Sequence, residues 1–170
     1  MSDIKPWLAP VPKKIIYKEG FFSTKGKRYI QIATPFPQYE LRAAAKTGLD
    51  WEITASPKAP KDKVGLVIRR DKDLKVPWQG YRLKVTPDCI EITARDQKGS
   101  FYGACTLAQI LRQTDGAIPC LTITDWPDIQ TRGVMLDISR DKVPTLETLY
   151  HIVDLLSEWK INELQLYTEH

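Results

Sequence analysis

The sequence predicts an α+β fold, an antiparallel sheet with helices on one face, followed by a single parallel β-α-β unit. Residues 81–86 and 89–94 alternate apolar and polar side chains around Pro87-Asp88, the pattern of a hairpin with one buried face. Residues 99–113 place Phe101, Leu107, Ile110 and Leu111 at helical spacing, which gives a helix with an apolar stripe. Beyond residue 125, two short apolar runs flank a third helical stretch, which suits the opening of a (β/α) barrel that then stops.

Taken in order, residues 14–17 and 28–33 are strands separated by a turn region around Gly20 and Gly26. Residues 39–47 form a helix, with Ala43, Ala44 and Ala45 at its centre and Gly48 as its stop. Strands at 51–54 and 64–70 flank the Pro/Lys-rich linker 56–63, and 119–124 is a last strand or extended connector leading to Asp125. Because no sustained β-α alternation is visible up to that point, the sheet is expected to be antiparallel. The run Val134, Met135, Leu136, Ile138 then ends in the polar cluster Asp137, Ser139 and Arg140, as a buried parallel strand with a solvated tip would. Pro144 and Thr145 start a helix, Glu147 favours its first turn, and Leu146, Leu149, Tyr150, Val153, Leu156 and Trp159 recur at helical spacing. After the helix ends near Lys160, Asn162 opens a run at 164–167 whose polar tail is Thr168, Glu169 and His170. The expected domains are therefore 1–124 and 125–170, the second an incomplete barrel.

A chain of 170 residues buries roughly 70% of its unfolded surface, enough for a core without metals or disulfides. The net charge of +4 is mild, and the Lys and Arg residues of 58–75 are interspersed with acids, so that stretch reads as a solvated face rather than a nucleic-acid footprint. Cys89, Cys105 and Cys120 lack metal-ligand spacing and read as small buried hydrophobes. No phosphate-cradling glycine loop, H-E-x-x-H or C-x-x-C occurs, so no cofactor or metal is expected. The first residues have no apolar leader and no stretch approaches the length of a membrane span, which points to the cytoplasm; a secreted protein trimmed of its leader is the alternative.

The string DWPDIQTRGVMLDISRDKVP (residues 125–144), with the helix and NELQLYTEH after it, resembles the start of the catalytic barrel of glycoside hydrolase family 20, the β-N-acetylhexosaminidases. The segment LAPVPKKIIYKEGFF (8–22) looks like that family's opening P-x-P segment. Residues 81–113, with GSFYGACTLAQIL, look like its accessory domain. The resemblance implies removal of terminal N-acetylglucosamine or N-acetylgalactosamine by a retaining mechanism in which the substrate's 2-acetamido carbonyl attacks the anomeric carbon. In the family an adjacent Asp-Glu pair serves that chemistry, the Asp orienting the acetamido group and the Glu acting as general acid. This sequence contains no Asp-Glu dipeptide, so the chain by itself is expected to be inactive.

By the same resemblance Arg140, in the D-x-S-R motif, holds ring hydroxyls of the terminal sugar; the plain alternative is a surface ion pair with Asp137 or Asp141. Asp137 is either a sugar-site residue or the partner that orients an arginine. Glu169 and His170 would face the same pocket from the second strand tip. The family's histidine-rich strand is not matched there, since Gln165 and Tyr167 stand where histidines align and His170 where an aspartate aligns. Arg132 reads as structural, pairing with Asp125 or Asp128, and Trp51, Trp78, Trp126 and Trp159 read as packing residues. The expected partner is a carbohydrate ending in N-acetylhexosamine, with self-association through the open barrel fragment, and neither nucleic acid nor membrane. Two rivals stand beside this reading: a complete non-catalytic carbohydrate-binding or interaction domain, and another carbohydrate hydrolase, such as a glucuronidase, sharing the accessory domain.

Overall fold

The computed structural model describes residues 5–34, 38–55, 59–140 and 142–169, and the chain divides into two compact units, Met1–Pro127 and Asp128–His170. The first unit holds β1 (Lys14–Ser23), β2 (Tyr29–Ala33), α1 (Gln38–Lys46), β3 (Glu52–Thr54), β4 (Val64–Arg70), β5 (Tyr81–Val85), β6 (Ile90–Ala94), α2 (Gln97–Gln113) and β7 (Ala117–Asp125). Its strands form one sheet in the order β1-β7-β5-β6-β4-β2-β3.

That sheet is mixed, which corrects the expectation of an antiparallel one. The pairs β1/β7, β7/β5 and β5/β6 run antiparallel, whereas β6/β4, β4/β2 and β2/β3 run parallel. Two connections cause this. Helix α1 returns the chain from the end of β2 to the start of β3, so the two strands share a direction. The second strand of the β5–β6 hairpin, rather than the first, docks beside β4, with Ile68 opposite Ile92.

Alternation along β5 buries Tyr81, Leu83 and Val85 and exposes Arg82 and Lys84, so one sheet face meets the helices and the other faces outward. Leu66, Ile68, Leu83, Ile92, Leu107 and Ile110 are fully buried in this core, each contributing roughly 1.5–3 kcal/mol relative to exposure. Helix α2 sits close to the sheet because Gly103 has no side chain: a Cβ there would stand 2.7 Å from Ile92 Cγ2. Its N-cap is Asp96, which accepts from Gly99 N at 2.9 Å and, through its other oxygen, from Gln79 N at 2.6 Å. Near its C-terminus the amides of Gln109 and Gln113 each bond both the N–H and the C=O of one residue in the entering chain, Ala9 and Trp7 respectively. At the start of β5, the buried Tyr81 hydroxyl meets Thr106 Oγ1 at 2.6 Å and Asp125 Oδ2 at 3.0 Å. Burial, reinforced by the Asp125 charge, pushes this phenol well above its ordinary range.

Two local expectations change. Gly20 lies inside β1 rather than in a turn: the register against β7 shifts between Tyr17 and Phe21, and Gly20 takes φ +99° there, a β-bulge that glycine accommodates. Trp78 is 57% exposed, with the Arg95 guanidinium 5.0 Å from its ring centre, so it is no core residue. Trp51 does pack as expected, edge-on to Phe22, and Trp126 is half-buried. Cys105 and Cys120 are buried, while Cys89 is half-buried. Residues 56–58 of the linker lie outside the described residues.

The second unit is a β-α-β: β8 (Gly133–Asp137), α3 (Leu146–Glu158) and β9 (Glu163–Tyr167). β8 and β9 pair in parallel from Gly133 with Glu163 to Asp137 with Tyr167. Thr145 caps α3, its hydroxyl accepting from Thr148 N at 3.2 Å. Arg132 is structural through backbone carbonyls: Nε donates to Lys160 O at 2.9 Å, and a terminal nitrogen donates to Ile129 O at 2.5 Å and Gln130 O at 3.1 Å. Asn162 Oδ1 accepts from Arg132 N at 2.9 Å, which ties the approach to β9 to the approach to β8. Trp159 is 55% exposed, against the expectation that it packs.

Candidate functional site

Parallel pairing brings the C-terminal ends of β8 and β9 side by side, with Asp137 and Tyr167 as register partners at the tip. The bond from Ile138 N to Tyr167 O, 3.0 Å, carries the pairing one residue further. Past that point β8 turns sharply, and its own aspartate makes the turn. Asp137 Oδ1 accepts from Ser139 N at 2.9 Å, from Ser139 Oγ at 3.0 Å and from Arg140 N at 3.2 Å, a side-chain mimic of a backbone turn.

The other oxygen of Asp137 receives Arg140 Nε. Glu169 approaches the same nitrogen, with Oε2 at 3.4 Å, and the guanidinium carbon lies 5.6 Å from the centre of the Tyr167 ring. Ser139 joins the two strand tips, since its hydroxyl accepts from Glu169 N at 2.8 Å. Arg140 is thus held at one edge by two carboxylates and lies over a ring. Its side chain is 64% exposed, and among the described residues its two terminal nitrogens make no hydrogen bond. A planar fork with one edge fixed and the other facing outward is suited to grip vicinal oxygens of a ligand.

The Ser139 amide, and next the Arg140 guanidinium, hold the Asp137 carboxyl well below the usual carboxylate range. It is an orienting anion at neutral pH rather than a proton donor. Of the residues anticipated from sequence, Arg140, Asp137 and Glu169 come together here, and His170 lies outside the described residues. Ser139, noted in the sequence only as part of the polar cluster, and Tyr167, noted only as a departure from a family histidine, also belong to the site. The signal for Tyr167 is the thirty-residue register offset between the strands, which sets it opposite Asp137. Among the described residues no group of three His, Cys, Asp or Glu could hold a metal ion, and no helix is long and apolar enough to cross a membrane.

Residues 5–126 match the family model described as glycosyl hydrolase family 20, domain 2. A beta-hexosaminidase of Akkermansia muciniphila is 38% identical over 101 residues, 56% of this chain and 20% of that protein. The solved beta-N-acetylhexosaminidase of Bacteroides fragilis superposes with a TM-score of 0.77 at 26% identity, covering 92% of this chain and 32% of that one. That share exceeds the first unit's and so reaches into the second. The exo beta-N-acetylglucosaminidase of Vibrio harveyi, solved in complex with N-acetylglucosamine, shares the fold at a TM-score of 0.75 and 20% identity, over 94% of this chain and 25% of that one. The chain spans about a fifth of the length of the curated relatives it matches.

Proposed function

The chain belongs to glycosyl hydrolase family 20, and from that premise we propose that it is the part of a β-N-acetylhexosaminidase that leads into, and begins, a (β/α)8 catalytic barrel. Domain 2 of the family occupies the first unit, and β8-α3-β9 supplies the first two barrel strands. The site is then the barrel's C-terminal face, where the strand tips of such folds collect their ligands. The carrying observation is Arg140, gripped at Nε by Asp137 and placed between the tips of two adjacent parallel strands.

In this reading Arg140 donates from its outer edge to hydroxyls of a terminal N-acetylhexosamine, the sugar of the bound relative from V. harveyi. Asp137 fixes the guanidinium plane, Tyr167 underlies it, and Glu169 steadies its inner edge. The acetamido-assisted displacement requires an Asp-Glu pair, and this sequence has none. Arg140 therefore binds; the bond-breaking groups lie on other strands of the barrel. The match that reaches into the second unit favours this over a free-standing carbohydrate-binding domain, which would have no use for an open β-α-β.

One experiment with two arms tests the proposal. The 170-residue chain by itself should release no chromophore from p-nitrophenyl N-acetyl-β-glucosaminide. A gene product carrying this chain together with an Asp-Glu barrel strand should hydrolyse it, and Arg140→Ala should lower kcat/KM by about tenfold to a hundredfold, the loss of charged hydrogen bonds worth roughly 1.5–3 kcal/mol. Turnover that copurifies with the chain, or an unchanged kcat/KM in the variant, would overturn it.

A further inference from the structure

We propose that the outward face of the first unit's sheet, opposite α1 and α2, binds an anionic saccharide, a sugar bearing a sulfate or a carboxylate. The face is built by strand register. Arg82 on β5 stands between Thr124 on β7 and Thr93 on β6, with Arg69 on β4 beyond Thr93. In the neighbouring row Lys84 stands between Thr122 and Glu91. A hollow of about 200 Å³ opens over β4, β5 and β6, walled on one side by the nearly buried Leu74.

The charges in the hollow are unevenly satisfied. Arg69 pairs with Glu91 and donates from Nε to Thr93 Oγ1 at 3.1 Å, and Thr93 donates in turn to Glu91 at 3.1 Å. Arg82 and Lys84 have no ion-pair partner among the described residues, and both are exposed. Two residues apart on one strand, they leave the same face about 7 Å apart. Their flexible arms can converge on one anionic group.

The rest of the lining selects what that anion is attached to. Asp71 and Glu91 accept hydrogen bonds and repel a second negative charge, so a nucleic acid or other polyanion fits poorly. A sugar hydroxyl suits both. Leu74 offers an apolar wall to ring C–H groups, and the volume admits a group about the size of one ring. The anion site stands on this geometry alone; the choice of a saccharide rests on the family reading above.

The test titrates the intact chain with N-acetylglucosamine 6-sulfate, follows backbone amides by NMR, and repeats with neutral N-acetylglucosamine and with inorganic sulfate. The sulfated sugar should shift the amides of Arg82, Lys84 and Thr93, more tightly than either control and less tightly as salt rises. The Arg82→Gln/Lys84→Gln double variant, altered only at exposed positions, should weaken binding at least about tenfold with an unchanged melting temperature. Arg140→Ala should leave these shifts intact, which separates failure here from failure of the site on the second unit. No shift on this face, an equal response to inorganic sulfate or to the neutral sugar, or an unaltered affinity in the double variant would each overturn the proposal.

Discussion

Helix α2 of the first unit buries ten of its seventeen residues, whereas α3 of the second unit buries none of its thirteen. Yet α3 is the more apolar by sequence, with Leu146, Tyr150, Val153 and Leu155 all exposed. The 43 residues of the second unit supply ten of the nineteen exposed large hydrophobics among the described residues, so the contrast is not one of composition. It is one of available partners. An apolar stripe on a helix specifies that a complementary surface is needed; the seven-stranded sheet provides it for α2, and two strands are too few to provide it for α3. The proposed barrel would place the missing surface on further strands and helices.

The sharpest way to break this comparison is to truncate one apolar side chain in each helix. Leu107→Ala, in the fully buried core, should cost about 2–5 kcal/mol in denaturant unfolding. Tyr150→Ala, 68% exposed, should stay within about 0.5 kcal/mol. A large cost at Tyr150 accompanied by a dimer mass in light scattering would mean that a second copy covers α3, and the comparison would then hold only for the monomer.

A smaller effect is expected at Arg132, a charged anchor on the approach to both parallel strands. Arg132→Ala removes three bonds from a guanidinium to the backbone carbonyls of Ile129, Gln130 and Lys160, two of them exposed and so largely replaced by water, which leaves a net cost of about 1–2 kcal/mol. Hydrogen exchange should show β8 and β9 losing protection while β5 and β6 keep theirs. Arg132→Lys should rescue little, because one ammonium cannot reproduce a planar fork. Equal loosening of both units would show that the anchor serves the whole chain.

Periodicity made most of these elements legible, and it failed where pairing rather than local pattern decides. The β5–β6 hairpin and α2 lie close to the expected ranges because alternation and helical spacing report directly on a buried face. The parallel half of the sheet is not legible because one β2-α1-β3 crossover is too little alternation to signal it, and because no local pattern says that β6 rather than β5 pairs with β4. β1 runs beyond the expected 14–17 to Ser23, because Gly20 reads as a turn when its bulge conformation depends on a partner, β7, about a hundred residues away. At the strand tips, Arg140 and Asp137 were legible as a motif. Tyr167 was not, since its place beside them comes from the register between strands thirty residues apart. Exposure of Trp78 and Trp159 could not be read either, because tryptophan carries the same sequence signal in a core and on a surface.

The smallest predicted effect is a difference in which end of the pH scale each unit feels. The Asp137 carboxyl is depressed by the Ser139 amide and the Arg140 guanidinium. A lowered folded value means its contribution is complete above the ordinary carboxylate pKa near ~4 and is lost as pH falls below it. The Tyr81 phenol is raised by burial and by Asp125. A raised folded value means its contribution is complete below the ordinary phenol pKa near ~10 and is lost as pH rises beyond it. Acid should therefore loosen the β8–β9 tip first and alkali the β5–α2 contact first, in hydrogen exchange or in tyrosine absorbance. Asp137→Asn should flatten the acid limb of the second unit only, modestly, because the carboxylate and Arg140 face solvent. Tyr81→Phe should flatten the alkaline limb of the first unit only. If either variant changes the opposite limb, the two clusters are coupled, and the units cannot be treated as separately titrating parts.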